Sequence, residues 1–375
     1  MDNDIPDILR DYKLATRLDK RHTIHIFDDP DAPPSSPQRL EHWKQSRFLG
    51  RGGQGRVVLQ TCASGSRSYT ERAVKIIQLE DGGTRRRYVR ELETIIKFSH
   101  DKYARYFVKM LGWYETHDSL CIAMEYLPAG DLQTYVVEHP PLAENHCCQI
   151  TSQILSGLAL MHKEGFAHRD VKPQVFQSQN LKFHDLEVSH PCTWWIKLAD
   201  FGISKRLGAT SSSGSTAVIG SLQYMAPELF DKAGVSDFSY RAADMWALGV
   251  TTFFILTKTV PFQDLHSVFQ YARSPGIPFP GSSLHDCQVS VEGQAFIRAI
   301  MRPDPEQRFD SEAAVLHEWI RAWFPEKPPR IEVHSGQVQP LWPLKHLLTI
   351  VDRQYHLPRE VLSRMRIGWQ QISPA

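Results

Sequence analysis

Nothing in this sequence is long and apolar enough to cross a bilayer. The longest apolar stretch, MWALGVTTFFIL at 245–256, falls short of a span and predicts a buried helix instead. The start, MDNDIPDILRDYK, has no positively charged opening followed by an apolar run, so no secretory signal is expected. These absences lead to the expectation of a cytoplasmic protein, with a nuclear address left open. Cysteine is scarce. Positions 62, 121, 147, 148, 192 and 287 are scattered through 375 residues and form no CxxC pair. That excludes the dense disulfide framework of a small secreted domain and gives a structural zinc site little support. An excess of one charge is also missing. A formal net charge of +1 supplies no pull toward nucleic acid or an anionic membrane, and neither is expected as a partner. No internal repeat is found.

What is present reads as globular. Hydrophobic residues make up 42% and charged residues 23%, and the length suffices for two lobes with a sizeable core. Residues 1–42 contain DDPDAPPSSPQ (28–38), too poor in apolar groups to fold alone, and are expected to form a flexible leader. From 43 to about 126, short β-like runs (FLGRGG, GRVVLQT, RAVKIIQL, LCIAMEY) surround one helical pattern, RRRYVRELETIIKF (85–98), in which Val89, Leu92, Ile95 and Ile96 recur at helical spacing. From about 127 to 325 helical patterns dominate. In CCQITSQILSGLALMHKEG (147–165), Ile150, Ile154, Leu155, Leu158 and Met161 share a face and Gly165 marks the stop. Proline breaks the chain at 325–340, and 326–375 reads as a C-terminal extension. The expected architecture is α+β: a small β-rich lobe with one main helix, then a larger helical lobe.

The stretch LGRGGQGRVVL contains Gly50-x-Gly52-x-x-Gly55-x-Val57. Glycines let backbone N–H groups approach phosphates closely, although a ligand-free β-turn uses the same residues. A dinucleotide-binding loop would open a helix and meet an acid about twenty residues later. Here β-like VVLQT follows, and position 75 is a lysine. Lys75, flanked by Ala73, Val74 and Ile76, needs an anionic partner to offset its desolvation, and Glu91 and Glu93 on the following helix are the candidates.

HRD at 168–170, DFG at 200–202 and APE at 226–228 follow the loop and its lysine in an order that resembles the eukaryotic protein kinase signature. The resemblance covers about residues 45–325. It implies a two-lobed kinase fold with ATP between the lobes, and it selects Glu91, in the RELETIIKFSH register, as the partner of Lys75. It implies that Leu49, Gly50, Gly52, Gly53, Gly55, Val57 and Ala73 line the nucleotide site with Lys75. MEYLPAGDL resembles the hinge, with Met124 at the gatekeeper position, Glu125 and Leu127 giving backbone contacts and Asp131 within reach of the ribose. Asp244 resembles the anchor of the catalytic loop, and Arg308 the partner of Glu228.

The residue chemistry agrees with that resemblance. Phosphoryl transfer needs positioning and charge neutralisation above all. Asp170 suits acceptance of a hydroxyl proton, Lys172 suits the transferring phosphoryl group, and Asp200 is a hard oxygen ligand for Mg²⁺. One position departs from the pattern. The second metal ligand, an asparagine, belongs five residues after Asp170, where the sequence has Val175. Two readings are open: a weakened or inactive kinase that binds ATP or partners as a scaffold, or an insertion of VFQSQ (175–179) that returns Asn180 to the ligand position. A second excess, FHDLEVSHPCTWW (183–195), resembles a tolerated surface insertion.

Lys172 in HRDVKP, with Ser221 in GSLQYMAPE, resembles the serine/threonine branch, so protein hydroxyls are the expected substrates. The loop KRLGATSSSGSTAVIG (205–220) offers hydroxyls, Thr216 foremost, to an upstream activating kinase whose phosphate would pair with Arg169. PREVLSRMRIGW (358–369) is basic and amphipathic, but plain packing is preferred there to calmodulin binding.

Overall fold

Alternating burial along the first half of the chain builds one sheet, and helical periodicity along the second builds the lobe beneath it. The computed structural model describes residues 7–28, 33, 35–52, 55–66, 69–79, 82–180, 194–200, 205–206, 222–230, 236–274 and 276–322, all within the unit Met1–Trp323. A short helix α1 (Asp7–Asp11) precedes strands β1 (Thr16–Leu18), β2 (Thr23–Phe27), β3 (Arg39–Gly52), β4 (Gly55–Ser64) and β5 (Glu71–Gln78). Helix α2 (Gly82–Phe98) and strands β6 (Met110–Glu115) and β7 (Ser119–Glu125) complete the small lobe. The sheet has seven antiparallel strands in the order β1-β2-β3-β4-β5-β7-β6.

The leader expected over 1–42 is corrected by this topology. Residues 7–27 are built into the small lobe, with β1 and β2 in its sheet, because they carry large apolar side chains that the acidic, proline-rich stretch after them lacks. Leu9 is fully buried in the main core, and its carbonyl accepts the indole N–H of Trp113 at 2.8 Å. Leu14 N–H donates to Trp113 O at 2.8 Å and Trp113 N–H to Tyr12 O at 3.0 Å, so the segment lies along β6 before it turns into β1. The two outer strands of the sheet are thereby joined through residues 12–15, and the sheet closes on itself.

Inside this closure sits a cation. Arg72 on β5 is 2% exposed; it stacks 4.0 Å from the Trp43 ring and donates to Gln60 Oε1 at 2.9 and 2.6 Å. It also meets Nε2 of the fully buried His25 on β2 at 2.7 Å. A guanidinium only donates, so Nε2 is the acceptor and the imidazole proton sits on Nδ1, 2.8 Å from Thr16 Oγ1. Thr16 in turn donates to Leu14 O at 2.8 Å. A directed chain of hydrogen bonds thus runs from β5 to the N-terminal segment.

The large lobe holds α3 (Leu132–Glu138), α4 (Glu144–Lys163), β8 (Phe166–Ala167), β9 (Phe176–Asn180), β10 (Trp194–Leu198) and β11 (Lys205–Arg206). Helices α5 (Asp237–Thr257), α6 (Leu265–Arg273), α7 (Ser282–Asp286), α8 (Val291–Ile300), α9 (Ser311–Val315) and α10 (Glu318–Arg321) follow. Helix α4 buries Ile150, Ile154, Leu155, Leu158 and Met161 as its periodicity requires. Helix α5 is buried all round from Ala242 to Leu256, starts at a Ser236 cap and stops at Lys258 in the left-handed region (φ 60°). No helix among the described residues is long and apolar enough to cross a membrane. The four described free cysteines other than Cys287, which is exposed, are wholly or partly buried.

Candidate active site

β3 and β4 form a hairpin whose register runs from His42/Ser64 to Gly52/Gly55, so the glycines occupy its tip. Gly55 cannot be replaced without strain: its φ is +155°, and a Cβ there would lie 2.2 Å from Ile76 O on β5. Leu49 and Val57 are half-buried close to this tip, and Val57 is the partner of Lys75 in the β4–β5 register. Ala73 pairs with Met124, which places the gatekeeper across the sheet from the residue two before Lys75. Gly53 lies outside the described residues.

Lys75 is 7% exposed and held by two carboxylates. Its ammonium donates to Glu91 Oε1 at 2.6 Å and to Asp200 Oδ1 at 2.8 Å. Burial alone would pull the Lys75 pKa down; the charge of Glu91 and then that of Asp200 overcome it and hold the group above its ordinary value. Glu91 is 4% exposed on the inner face of α2, one turn from buried Tyr88 and Ile95, whereas Glu93 is exposed. The helical periodicity therefore decides between the two candidates in favour of Glu91.

The catalytic segment is fixed from below. Asp244 on α5 is 1% exposed; Oδ2 accepts His168 N–H at 2.8 Å and Oδ1 accepts Arg169 N–H at 2.7 Å. Oδ2 also meets His162 Nε2 at 2.9 Å. His162 was not singled out in the sequence, since a histidine on the buried face of α4 carries no motif. Arg169 and Asp200 both take left-handed backbone conformations (φ 72° and 57°), an arrangement that surrounding contacts must impose on residues other than glycine. Asp170 Oδ2 accepts Lys172 Nζ at 2.7 Å, so the two candidate catalytic groups are in contact. His168 Nε2 lies 3.4 Å from Ala199 O, and Ala199 N–H donates to Val175 O at 2.8 Å. These bonds stitch the segment carrying Asp170 to the one carrying Asp200.

The insertion reading of 175–179 is corrected by the register. Phe176 pairs with Leu198, and the antiparallel ladder continues without a bulge to Asn180 opposite Trp194. VFQSQ is the start of β9 itself rather than a loop added before it. At ~3.3 Å per residue, Asn180 stands about 13 Å along the strand from Phe176. It travels away from Asp200, because its partner Trp194 lies upstream of that residue. Val175, where the kinase pattern has its second metal ligand, is 1% exposed in the main core. The chemistry of the donors then fits one divalent cation: Asp200 offers a carboxylate with a 41% exposed side chain, and Val175 offers no side-chain oxygen.

At the hinge, Glu125 Oε1 accepts Lys197 Nζ and Lys109 N–H, both at 2.7 Å, so its side chain faces β10. Leu127 is buried and its carbonyl accepts Gly130 N–H at 3.2 Å. Asp131 caps α3: Oδ1 accepts Thr134 N–H and Oδ2 accepts Thr134 Oγ1, both at 2.9 Å. Both carboxylate oxygens thus accept a hydrogen bond at the helix start. Glu228 and Arg308 form the expected pair, at 2.6 and 3.0 Å, with the guanidinium also donating to Ala242 O at 2.8 Å. Gly202, Ser221, the hydroxyls of 210–216 including Thr216, and the tail 326–375 lie outside the described residues.

A family model described as the protein kinase domain matches residues 43–320. The chain is 29% identical over 300 residues to a calcium/calmodulin-dependent protein kinase, cmkA, of Emericella nidulans, covering 79% of this chain and 66% of that protein. It is 28% identical over 296 residues to a probable myosin light chain kinase of Dictyostelium discoideum, covering 78% and 84%. It is 30% identical over 256 residues to the serine/threonine-protein kinase RAD53 of Saccharomyces cerevisiae, covering 66% of this chain and 29% of that protein. Among solved structures, that of Rad53 1-466 in complex with AMP-PNP superposes with a TM-score of 0.58 at 25% identity, covering 74% of this chain and 65% of that one.

Proposed function

Since the chain belongs to the protein kinase family, we propose that it transfers the γ-phosphoryl group of ATP to serine and threonine hydroxyls of proteins. The observation that carries this reading is the Lys75 ammonium held between Glu91 and Asp200. A buried cation fixed at the mouth of a glycine-tipped hairpin is placed to neutralise phosphate oxygens without reorganising. Both named serine/threonine and calcium/calmodulin-dependent relatives are kinases, which argues against a scaffold without turnover.

The chemistry is then divided among fixed groups. Asp170 takes the proton of the attacking hydroxyl. Lys172, in contact with it, balances its charge and faces the phosphoryl group in flight. Asp244 holds the backbone that aims both. A Mg²⁺ ion on Asp200, when bound, supplies further neutralisation of the phosphates. Lys172 beside Asp170 supports the serine/threonine class, and an upstream kinase acting on 205–220 and a cytoplasmic setting belong to the same proposal.

The test is transfer of labelled γ-phosphate to a generic protein substrate by the full chain. Wild type labels the substrate; Lys75→Met and Asp170→Asn fall to background. Equal labelling by all three proteins refutes the proposal.

A further inference from the structure

We infer that this chain binds its nucleotide with a single divalent cation, on Asp200, and that the protein supplies no ligand for a second. The inference rests on the kinase reading and sharpens it at one residue.

The position that would hold the second cation is the one that the kinase pattern puts five residues after Asp170, and backbone hydrogen bonding ties it to the segment of Asp200. Val175 O accepts the N–H of Ala199, the residue directly before Asp200. Residue 175, whatever its side chain, is therefore tied through its backbone to the segment that carries Asp200. In this chain it is a branched alkyl group, 1% exposed and packed in the main core. An alkyl group has no lone pair, and Mg²⁺ requires oxygen donors in near-octahedral array.

No nearby asparagine compensates. The unbroken β9–β10 ladder sets Asn180 at the far end of its strand, so its backbone would have to abandon five pairings to return. Among the described residues, no cluster of three or more His, Cys, Asp or Glu side chains could hold a metal elsewhere in the cleft. Phosphate charge that a second cation would neutralise falls instead to Lys75 and Lys172, both of which already sit in ion pairs at the site. The absence of the second ligand is a built feature: the apolar side chain is accommodated with its backbone carbonyl fully engaged.

The experiment counts cations. The full chain is mixed with excess AMP-PNP, a non-hydrolysable ATP analogue, and titrated with Mn²⁺ while free and bound metal are followed by electron paramagnetic resonance. The expected result is one tightly bound Mn²⁺ per protein–nucleotide complex, and two for Val175→Asn. Asp200→Asn should lose at least ten-fold in affinity for that one ion. Two tightly bound Mn²⁺ in the wild-type complex overturn the inference while leaving the kinase reading intact. A chain that binds no AMP-PNP at any Mn²⁺ concentration overturns both. The wild-type count decides the matter without any variant, so a misfolded Val175→Asn protein does not shield the inference.

Discussion

The indole N–H of Trp113 donates to the backbone carbonyl of Leu9 at 2.8 Å, joining the N-terminal segment to the strand on the opposite side of the small lobe. Leu9 is 0% exposed and belongs to the same core cluster as Tyr88 and Leu92 on α2, the helix that carries Glu91. Leu9→Ala should therefore destabilise the protein by about 2–3 kcal/mol, the lower range for a buried leucine, since a short terminal helix can partly collapse into the space. Urea unfolding measures this, and an unchanged midpoint would show that α1 contributes nothing.

His25 makes stability depend on pH. Burial first, and then the Arg72 charge, lower its pKa to about 3, against 6.5 for the exposed ring. The unfolded chain thus binds a proton between these values that the folded chain refuses. Stability from this residue is complete above pH 6.5 and declines as pH falls toward 3, by at most about 1.4 kcal/mol per pH unit. His25→Gln should flatten the profile between pH 7 and 5 by about 2 kcal/mol, read from denaturation midpoints; a profile parallel to wild type would contradict the buried neutral ring.

Asp244→Ala should damage the site as well as the fold. It leaves the His168 and Arg169 N–H groups without their acceptor in a buried place, at about 1–3 kcal/mol each. Arg169 then loses a constraint on its left-handed backbone, and Asp170 loses its aim. The expected outcome is a fall in kcat of roughly 10²-fold or more with the nucleotide KM nearly unchanged. A loss confined to KM would assign Asp244 a different role.

Arg308→Ala strips Glu228 of a bidentate partner and leaves its carboxylate in a nearly buried setting. Breaking such a pair costs about 3–5 kcal/mol. Thermal unfolding should show a clear drop, and Arg308→Lys should recover only part of it, because an ammonium cannot repeat the fork.

Much of this was legible in the sequence because the site is made of short motifs whose spacing is dictated by backbone geometry. Lys75, Glu91, Asp200, Asp244 and the Arg308–Glu228 pair stand where the motif order puts them. Two features were not legible. Asn180 was ambiguous because counting letters cannot tell an insertion from a strand; only the pairing of Phe176 with Leu198 settles it. Residues 7–27 were hidden because their partners are distant in sequence. Leu9 meets Trp113, and His25 meets Arg72, across separations that local composition does not report. Asp131 shows the opposite lesson: its cap on α3 follows from a common N-terminal pattern that local composition does report.

The closure of the small-lobe sheet by residues 12–15 bears on how the protein should be cut. The family match begins at residue 43, inside β3. A fragment started there would discard β1, β2 and the stretch of β3 that pairs with β2, and would strip the Trp113 N–H, C=O and indole N–H on β6 of their partners while uncovering the core beneath Leu9. Such a fragment should form concentration-dependent aggregates through the uncovered β6 edge and core face, whereas a chain begun before Asp7 should stay monodisperse under the same conditions.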